Sequence, residues 1–392
     1  MKRRVFETVS QSKPKYSAFD LSYSHKLSCN MGELIPVYLQ EILPGDQFKV
    51  STEIMARLAP TIAPIMHKVN IYLHYFFVPN RIVWDEWEDF ITGGRLGTTT
   101  PTMPTITWSG NGAATLEGAL GDYFGLPTTS AAGTATVDVT QLPFRAYTKI
   151  WNDYYRDQNL TAEADITVLA QLRDIRQRAW EKDYFTSALP FAQRGTAASI
   201  PVTFDYLDES EVYEFDGTGA SPPLNINLGI LTANGVDARL ENLDATAVDF
   251  NVNDLRTASA IQRWLETQAT HGARYTETLE AHFNVKSDDA RLQRAEYLGG
   301  GRQPLVVSEV LNTSDTANAP QGNMSGHAIS VGQANSFKKF FKEHGWVLGI
   351  MSILPDTAYS QGIGRQWTRS TKEDYYWPEF ANLGEQAITN KD

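Results

Sequence analysis

No disulfide can form within this chain, because its 392 residues include a single cysteine, Cys29. One thiol cannot pair within a molecule or build a thiolate cluster, so stability must come from packing, and nothing in the chain requires an oxidising compartment. Long apolar runs are also missing. The least interrupted one, Trp346 to Leu354, spans nine residues, against the roughly 18 that suggest a membrane span. No apolar stretch follows the basic start either, where Glu7, Ser10, Gln11, Ser12 and Lys13 stand, so a signal peptide is not indicated and a soluble chain without membrane insertion is expected. Without a secretory route, the sequons at Asn159, Asn312 and Asn323 carry little meaning. Positive charge is in deficit, with 34 Lys and Arg against 46 Asp and Glu and a net charge of −12. That balance argues against a protein whose whole surface coats nucleic acid.

Catalytic and metal-binding patterns are just as sparse. The seven histidines (25, 67, 74, 271, 282, 327 and 344) lack H-E-x-x-H or comparable spacing, and no metal site is expected. His67 and His74, seven apart, would fall on opposite faces of one strand. Cys29 beside His25 lacks a third orienting group, so a packed thiol is expected rather than a nucleophile. Asp85, Glu86, Glu88 and Asp89 have the spacing of the polar side of an amphipathic helix, which makes them a solvated face rather than an acid pair or calcium site. Gly299-Gly300-Gly301 lacks the P-loop lysine, Gly362-Ile363-Gly364 is too short for a dinucleotide fingerprint, and no G-x-S-x-G elbow occurs. These absences predict no catalytic residue and no cofactor.

Aromatic residues are abundant, with 9 Trp, 17 Tyr and 18 Phe, and mark a folded protein. Phe48, Val50, Thr52, Ile54, Ala56 and Leu58 alternate with polar residues, as in a half-buried strand. A second alternation places Val69, Ile71, Leu73, Tyr75 and Phe77 opposite Tyr72, His74 and Phe76. Leu34 to Ile42 reads as a third strand, joined to the first by the turn Leu43-Pro44-Gly45-Asp46, with early pairing expected across it. Late strands are expected at Pro304 to Leu311 and at Trp346 to Leu354, the latter covered on both faces. Helices are expected from an Asn80 cap through Trp84, Trp87 and Ile91 to Gly93-Gly94, and from Pro143 along Phe144, Tyr147, Trp151, Tyr154 and Tyr155. Two more are expected from an Asn253 cap to Gly272, and over residues 275–283. Residues 93–142 and the acidic, Gly- and Pro-containing stretch 205–252 read as long surface loops suited to recognition.

Several strings resemble one family. Phe19-Asp20-Leu21-Ser22, Cys29-Asn30-Met31-Gly32 and Ala59-Pro60-Thr61-Ile62-Ala63-Pro64 are similar to the amino-terminal region of the major capsid protein of gokushovirus-like microviruses (Microviridae). So are His74 to Arg81, Trp84 to Gly94, Asn253 to Arg256, Ala273 to Glu277, Asp289 to Gly300 and Phe380 to Gln386. The resemblance runs over roughly residues 16 to 388.

That resemblance implies a mainly β fold, a viral eight-stranded antiparallel jelly-roll with long helix- and loop-containing insertions. It implies a structural, non-enzymatic protein that self-assembles as sixty copies into a T=1 icosahedral shell around circular single-stranded DNA. The implied partners are further copies of itself, the packaged DNA, a small basic DNA-binding phage peptide, other phage structural proteins and a host surface receptor. The implied locations are the virion and, during assembly, the bacterial host cytoplasm. On this reading residues 1–18 form a basic arm and 19–392 one jelly-roll domain with a loop-rich insertion at 93–142, helical insertions at 143–200 and 253–300, and a host-facing variable insertion at 205–252. Family chains usually continue further, so an incomplete carboxyl end with an open strand edge is expected.

Lys2, Arg3, Arg4, Lys13 and Lys15 are the candidates for nucleic-acid contact, although their charge pattern alone fits a solubilising terminus equally well. The aromatic stripe at Phe144, Tyr147 and Trp151 fits either core or a subunit interface. A carbohydrate-binding β-sandwich or glycoside hydrolase would also account for many aromatics and acids, but no strand-borne acid pair supports it.

Overall fold

The computed structural model describes residues 16–58, 67–108, 117–128, 137–199, 212–213, 223–224, 252–272, 274–305, 321, 329–380 and 388. The chain divides into two compact units, one built from residues 1–157, 163–180 and 288–358, the other from 158–162, 181–287 and 359–392. The first unit holds the long strands.

In that first unit β1 (Ile35–Ile42), β2 (Gln47–Arg57) and β3 (Val69–Pro79) occupy the three expected stretches. They are followed by the short pair β4 (Thr105–Trp108) and β5 (Val137–Thr140). The second unit contributes the two-residue strands β6 (Val212–Tyr213) and β7 (Pro223–Leu224). The first unit is completed by β8 (Glu296–Leu305), β9 (Ile329–Phe340) and β10 (Gly345–Pro355). The principal sheet is antiparallel in the order β1-β10-β3-β8, and β2 pairs with β9 in a second sheet. This antiparallel, mainly β architecture is consistent with a jelly-roll.

The turn at residues 43–46 forms as expected, with Gly45 at φ +101° and the Asp46 amide donating to Leu43 O at 3.1 Å. It does not pair β1 with β2. It passes the chain from one sheet to the other, and so does the return from β9 to β10. The two corners are tied together, Gly45 N donating to Phe341 O and Phe341 N to Asp46 O, both at 2.9 Å. A turn signal fixes a local reversal, whereas the partner strand is chosen by burial.

β3 and β10 are apolar on both faces because each face meets its own core. Between the sheets, Ile71, Leu73, Tyr75 and Phe77 of β3 and Val347 and Met351 of β10 pack on Phe337, Phe341 and the inward Phe48, Val50 and Ile54 of β2. On the opposite face, Phe76, Val78, Leu348 and Ile350 pack on a helical layer. Its main helix is α3, which follows the short α1 (Trp87–Thr92) and α2 (Leu120–Tyr123) in the chain. α3 (Leu142–Ile150) has Pro143 in its first turn, where a missing N–H costs nothing, and continues into a π-turn over Trp151–Tyr155. Phe144, Tyr147 and Trp151 are buried there, so this stripe is core within the chain. The four-residue α4 (Leu169–Leu172) adds Leu172 to the same layer.

Several expectations are corrected. The strand expected at 304–311 coincides with β8 at Pro304 and Leu305, its residues 306–311 lie outside the described set, and β8 begins earlier than expected, at Glu296. β8 was hidden by Gly299-Gly300-Gly301, which reads as a loop but lies in register with Tyr75, His74 and Leu73. Asn80 caps no helix through its side chain. It opens a single 3-10 turn, and α1 starts only at Trp87 before ending at Gly93, φ +79°. Residues 93–142 are not simply a surface loop, since Ile106, Trp108 and Leu120 are buried in the helical-layer core. Few large apolar residues at irregular spacing masked them.

In the second unit α5 (Val252–His271) and α6 (Tyr275–Phe283) pack together. Asn253 lies inside α5 rather than capping it. Gly272 ends α5 at φ +111°, where a side chain would be strained and would also meet Gln158 and Glu277. Residues 205–252 fall outside the described set apart from 212–213, 223–224 and the first residue of α5, so the expected host-facing insertion does too.

The glycine run is a packing device. A methyl group at Gly300 would lie 2.6 Å from Leu73 O and 2.7 Å from the His74 ring. Gly300→Ala is therefore expected to destabilise the fold by about 1–3 kcal/mol, whereas Gly364→Ala, with only ordinary contacts near 3.7 Å, should leave it nearly unchanged. Urea denaturation of the two variants checks this.

Candidate functional site

Two regions of the first unit concentrate chemistry, one buried and one exposed. The buried one sits where β3 meets the helical layer. His74 Nδ1 lies 2.8 Å from Tyr155 Oη, and the two rings stack with centroids 6.0 Å apart. Arg178 lays its guanidinium 4.1 Å from the Tyr72 ring centre and 5.9 Å from that of Tyr155. Burial, reinforced by the Arg178 charge, pushes the His74 pKa down to about 4, so the imidazole is neutral at pH 7. Burial likewise pushes the Tyr155 phenol well above its usual range. A neutral imidazole facing an un-ionised phenol has neither a nucleophile nor a group titrating near pH 7 for acid–base work.

Neighbouring polar side chains act as braces. Tyr147 Oη donates to Leu34 O at 2.8 Å and accepts from Arg176 N at 2.9 Å. Asn152 replaces a strand partner for Ala164, donating to its O at 2.7 Å and accepting from its N at 3.0 Å. Asp153 accepts from Lys149 Nζ and from Ala295 N, each at 3.1 Å. Satisfied buried polar groups of this kind fix one arrangement of a core.

The exposed region is the outer face of the β2–β9 sheet. Odd-numbered residues of β2 point outward, and register sets Met55 beside Val331, Arg57 beside Ile329, and Lys49 beside Lys338. Met55 is 76% exposed and Val331 73%, with Ile329 and Phe340 about half exposed. On β9 the usual polarity is inverted, because Ser330 is buried while its apolar neighbours on either side face out. Inward, Gly332 gives room to Gln303, whose side chain a Cβ would meet at 2.3 Å. Apolar residues set outward on a sheet, between lysines and an arginine, form a patch suited to contact with another protein surface.

The residues singled out from sequence fall as follows. Lys2, Arg3, Arg4, Lys13 and Lys15 lie outside the described residues. Cys29 packs at the margin of the inter-sheet core, and burial followed by the nearby Glu33 raises its thiol pKa, the opposite of activation. His67 precedes β3 rather than sharing it with His74. Asp85, Glu86, Glu88 and Asp89 are exposed, as a solvated face should be. Among the described residues no group of three or more His, Cys, Asp or Glu could hold a metal ion, and no helix is long and apolar enough to cross a membrane. The β9 surface was missed: its clearest signal, Ile329-Ser330-Val331-Gly332, is an alternation that would normally be assigned the opposite way round.

Comparison with known proteins gives a consistent result. Residues 8–392 match the phage family described as capsid protein (F protein). The chain is 34% identical to Capsid protein VP1 of Chlamydia phage 1, covering all of this chain and 80% of that protein. It is 35% identical to Capsid protein VP1 of Bdellovibrio phage phiMH2K, over 96% of this chain and 76% of the relative. The corresponding protein of Spiroplasma virus 4 is 33% identical over 93% of this chain and 74% of its own length.

The His74 environment predicts a pH dependence. With a folded pKa of about 4 against an ordinary 6.5, the unfolded chain binds more protons between those values. Stability is therefore complete above pH 6.5, falls as pH drops towards 4, and loses of order 3 kcal/mol from this group. Melting curves across that window should show the fall, and His74→Gln should flatten it.

Proposed function

The chain belongs to the phage capsid protein (F protein) family, alongside the capsid proteins of gokushovirus-like microviruses, and from this we propose how it builds a shell. It is a structural major capsid protein rather than an enzyme, a virion component that assembles with itself and other phage components. The finer reading is that sixty copies close a T=1 icosahedral shell around circular single-stranded DNA, assembled in the bacterial host cytoplasm. A small basic phage peptide shares charge neutralisation, and residues 205–252 meet a host surface receptor. The second unit corresponds to insertions of one jelly-roll domain.

The observation that carries the assembly reading is the outward apolar patch of the β2–β9 sheet, Met55, Ile329 and Val331. A chain of this family has copies of itself as its first partners, and large outward apolar side chains are what such contacts bury. Met55→Glu with Val331→Glu should leave the subunit's melting temperature within a few degrees, because both side chains are exposed. The same pair should abolish closed particles in light scattering and electron microscopy. Normal shells from the double variant would remove this face from the assembly contacts.

For the genome, Lys2, Arg3, Arg4, Lys13 and Lys15 are assigned to phosphate contact. The support is their clustering against a single acid, Glu7, on a chain that is otherwise acidic. Removing residues 2–15 should weaken binding to single-stranded DNA at low salt and lower the salt dependence of what remains. Unchanged affinity would exclude the arm.

A further inference from the structure

In the second unit, the chain between Gly362 and Trp377 sets large rings on a series of tight turns. One 3-10 turn covers Arg365–Trp367, with Trp367 N donating to Gly364 O at 2.9 Å. Another covers Lys372–Asp374, where Asp374 accepts from the Ser370 and Thr371 amides, each at 2.9 Å. Trp377 Nε1 donates to Lys372 O at 2.8 Å. Despite this local order the rings are not packed away: Trp367 is 78% exposed and Tyr376 77%, with Tyr375 and Trp377 about half exposed. Ordered aromatics left in water are costly unless something covers them.

The charge around them indicates what does. Residues 362–377 hold three cations, Arg365, Arg369 and Lys372, against two acids, Glu373 and Asp374, in a molecule of net charge −12. Glu373 stands in an exposed pair with Lys372 at 3.5 Å, and the carboxylate of Asp374 is held below its usual range first by the amides it caps and then by the charge of Arg365. Arg369 lies 5.2 Å over the Tyr375 ring, which aligns a guanidinium beside an aromatic plane. Exposed ring faces interleaved with cations match the chemistry of unpaired nucleotides, which offer a flat base and a phosphate at every step. A duplex hides its base faces, and a purely apolar protein partner would have no use for three cations.

We propose that residues 362–377 form a binding surface for single-stranded nucleic acid, with Trp367 and Tyr376 stacking on bases and Arg365 and Arg369 meeting phosphates. The proposal rests on the capsid reading only in taking DNA as the strand; the surface itself is argued from these side chains.

The test uses the full chain, a fluorescent oligothymidylate of roughly 20 nucleotides and a duplex of equal length at roughly 50 mM salt. Particle formation is followed by light scattering in the same preparations. Trp367→Ala with Tyr376→Ala should weaken oligothymidylate binding about tenfold or more, the effect of losing even one stacked base. It should spare duplex binding and particle formation, while Trp367→Phe retains most of the affinity. Arg365→Gln with Arg369→Gln should reduce the salt slope. Equal affinity in the aromatic double variant overturns the proposal. So does loss of particles with binding to DNA intact, which would assign the rings to a second copy. Failure of the unmodified chain to bind the oligothymidylate also overturns it but leaves the capsid reading standing if shells form, whereas binding without shells has the opposite meaning.

Discussion

Everything in the first unit depends on two adjacent strands, β3 and β10, being buried on both faces. They are paired over eleven residues, from Val69 with Pro355 to Pro79 with Gly345. Their alternate side chains feed two separate cores, one against the β2–β9 sheet and one against the α3 layer. A wall that must be apolar on both sides cannot use polarity to fix its register, since a slip by one residue would exchange one apolar face for the other. Register is held by size instead. Gly349 sits where a Cβ would meet Tyr75 and Tyr38, and Gly345 where it would meet Val78 O.

The polar chemistry of the molecule follows from the same constraint. Once a histidine and several tyrosines are placed inside an aromatic layer, burial sets their protonation states and partners must be found locally, as Tyr155 is for His74 and Leu34 O is for Tyr147. These groups resemble catalytic machinery in composition, but burial holds the His74 imidazole neutral and the Tyr155 phenol un-ionised. The family's structural role agrees with that arrangement, in which perturbed groups serve the fold.

Much of this was legible in the sequence where a period is strict. β2, β3 and the central character of β10 follow directly from alternation and from apolar residues at consecutive positions, and α6 and the Pro143 helix follow from their stripes and boundaries. β8 and β9 were not legible, because the first carries three glycines that a neighbouring strand requires and the second points its apolar residues outward. The turn at residues 43–46 is legible but the partners of its strands are not, since β1 pairs with β10 and β2 with β9. The family was readable from ordered strings of residues, which hold information that periodicity discards. The exposed patch at Met55 and Val331 was not readable, since it is defined by two strands 276 positions apart in the chain.

The layer formed by β2 and β9 has a consequence for how stability is distributed. Among the described residues each of these strands has a single ladder partner, the other, while β3 and β10 each have two strand neighbours. In an isolated subunit, β2 and β9 should exchange their amide protons sooner than the central wall. If a neighbouring copy covers their outer face, it binds only the closed form of that layer and stabilises it by mass action. Folding of the outer layer and growth of the shell would then be one linked equilibrium, and a subunit's rigidity would depend on its concentration.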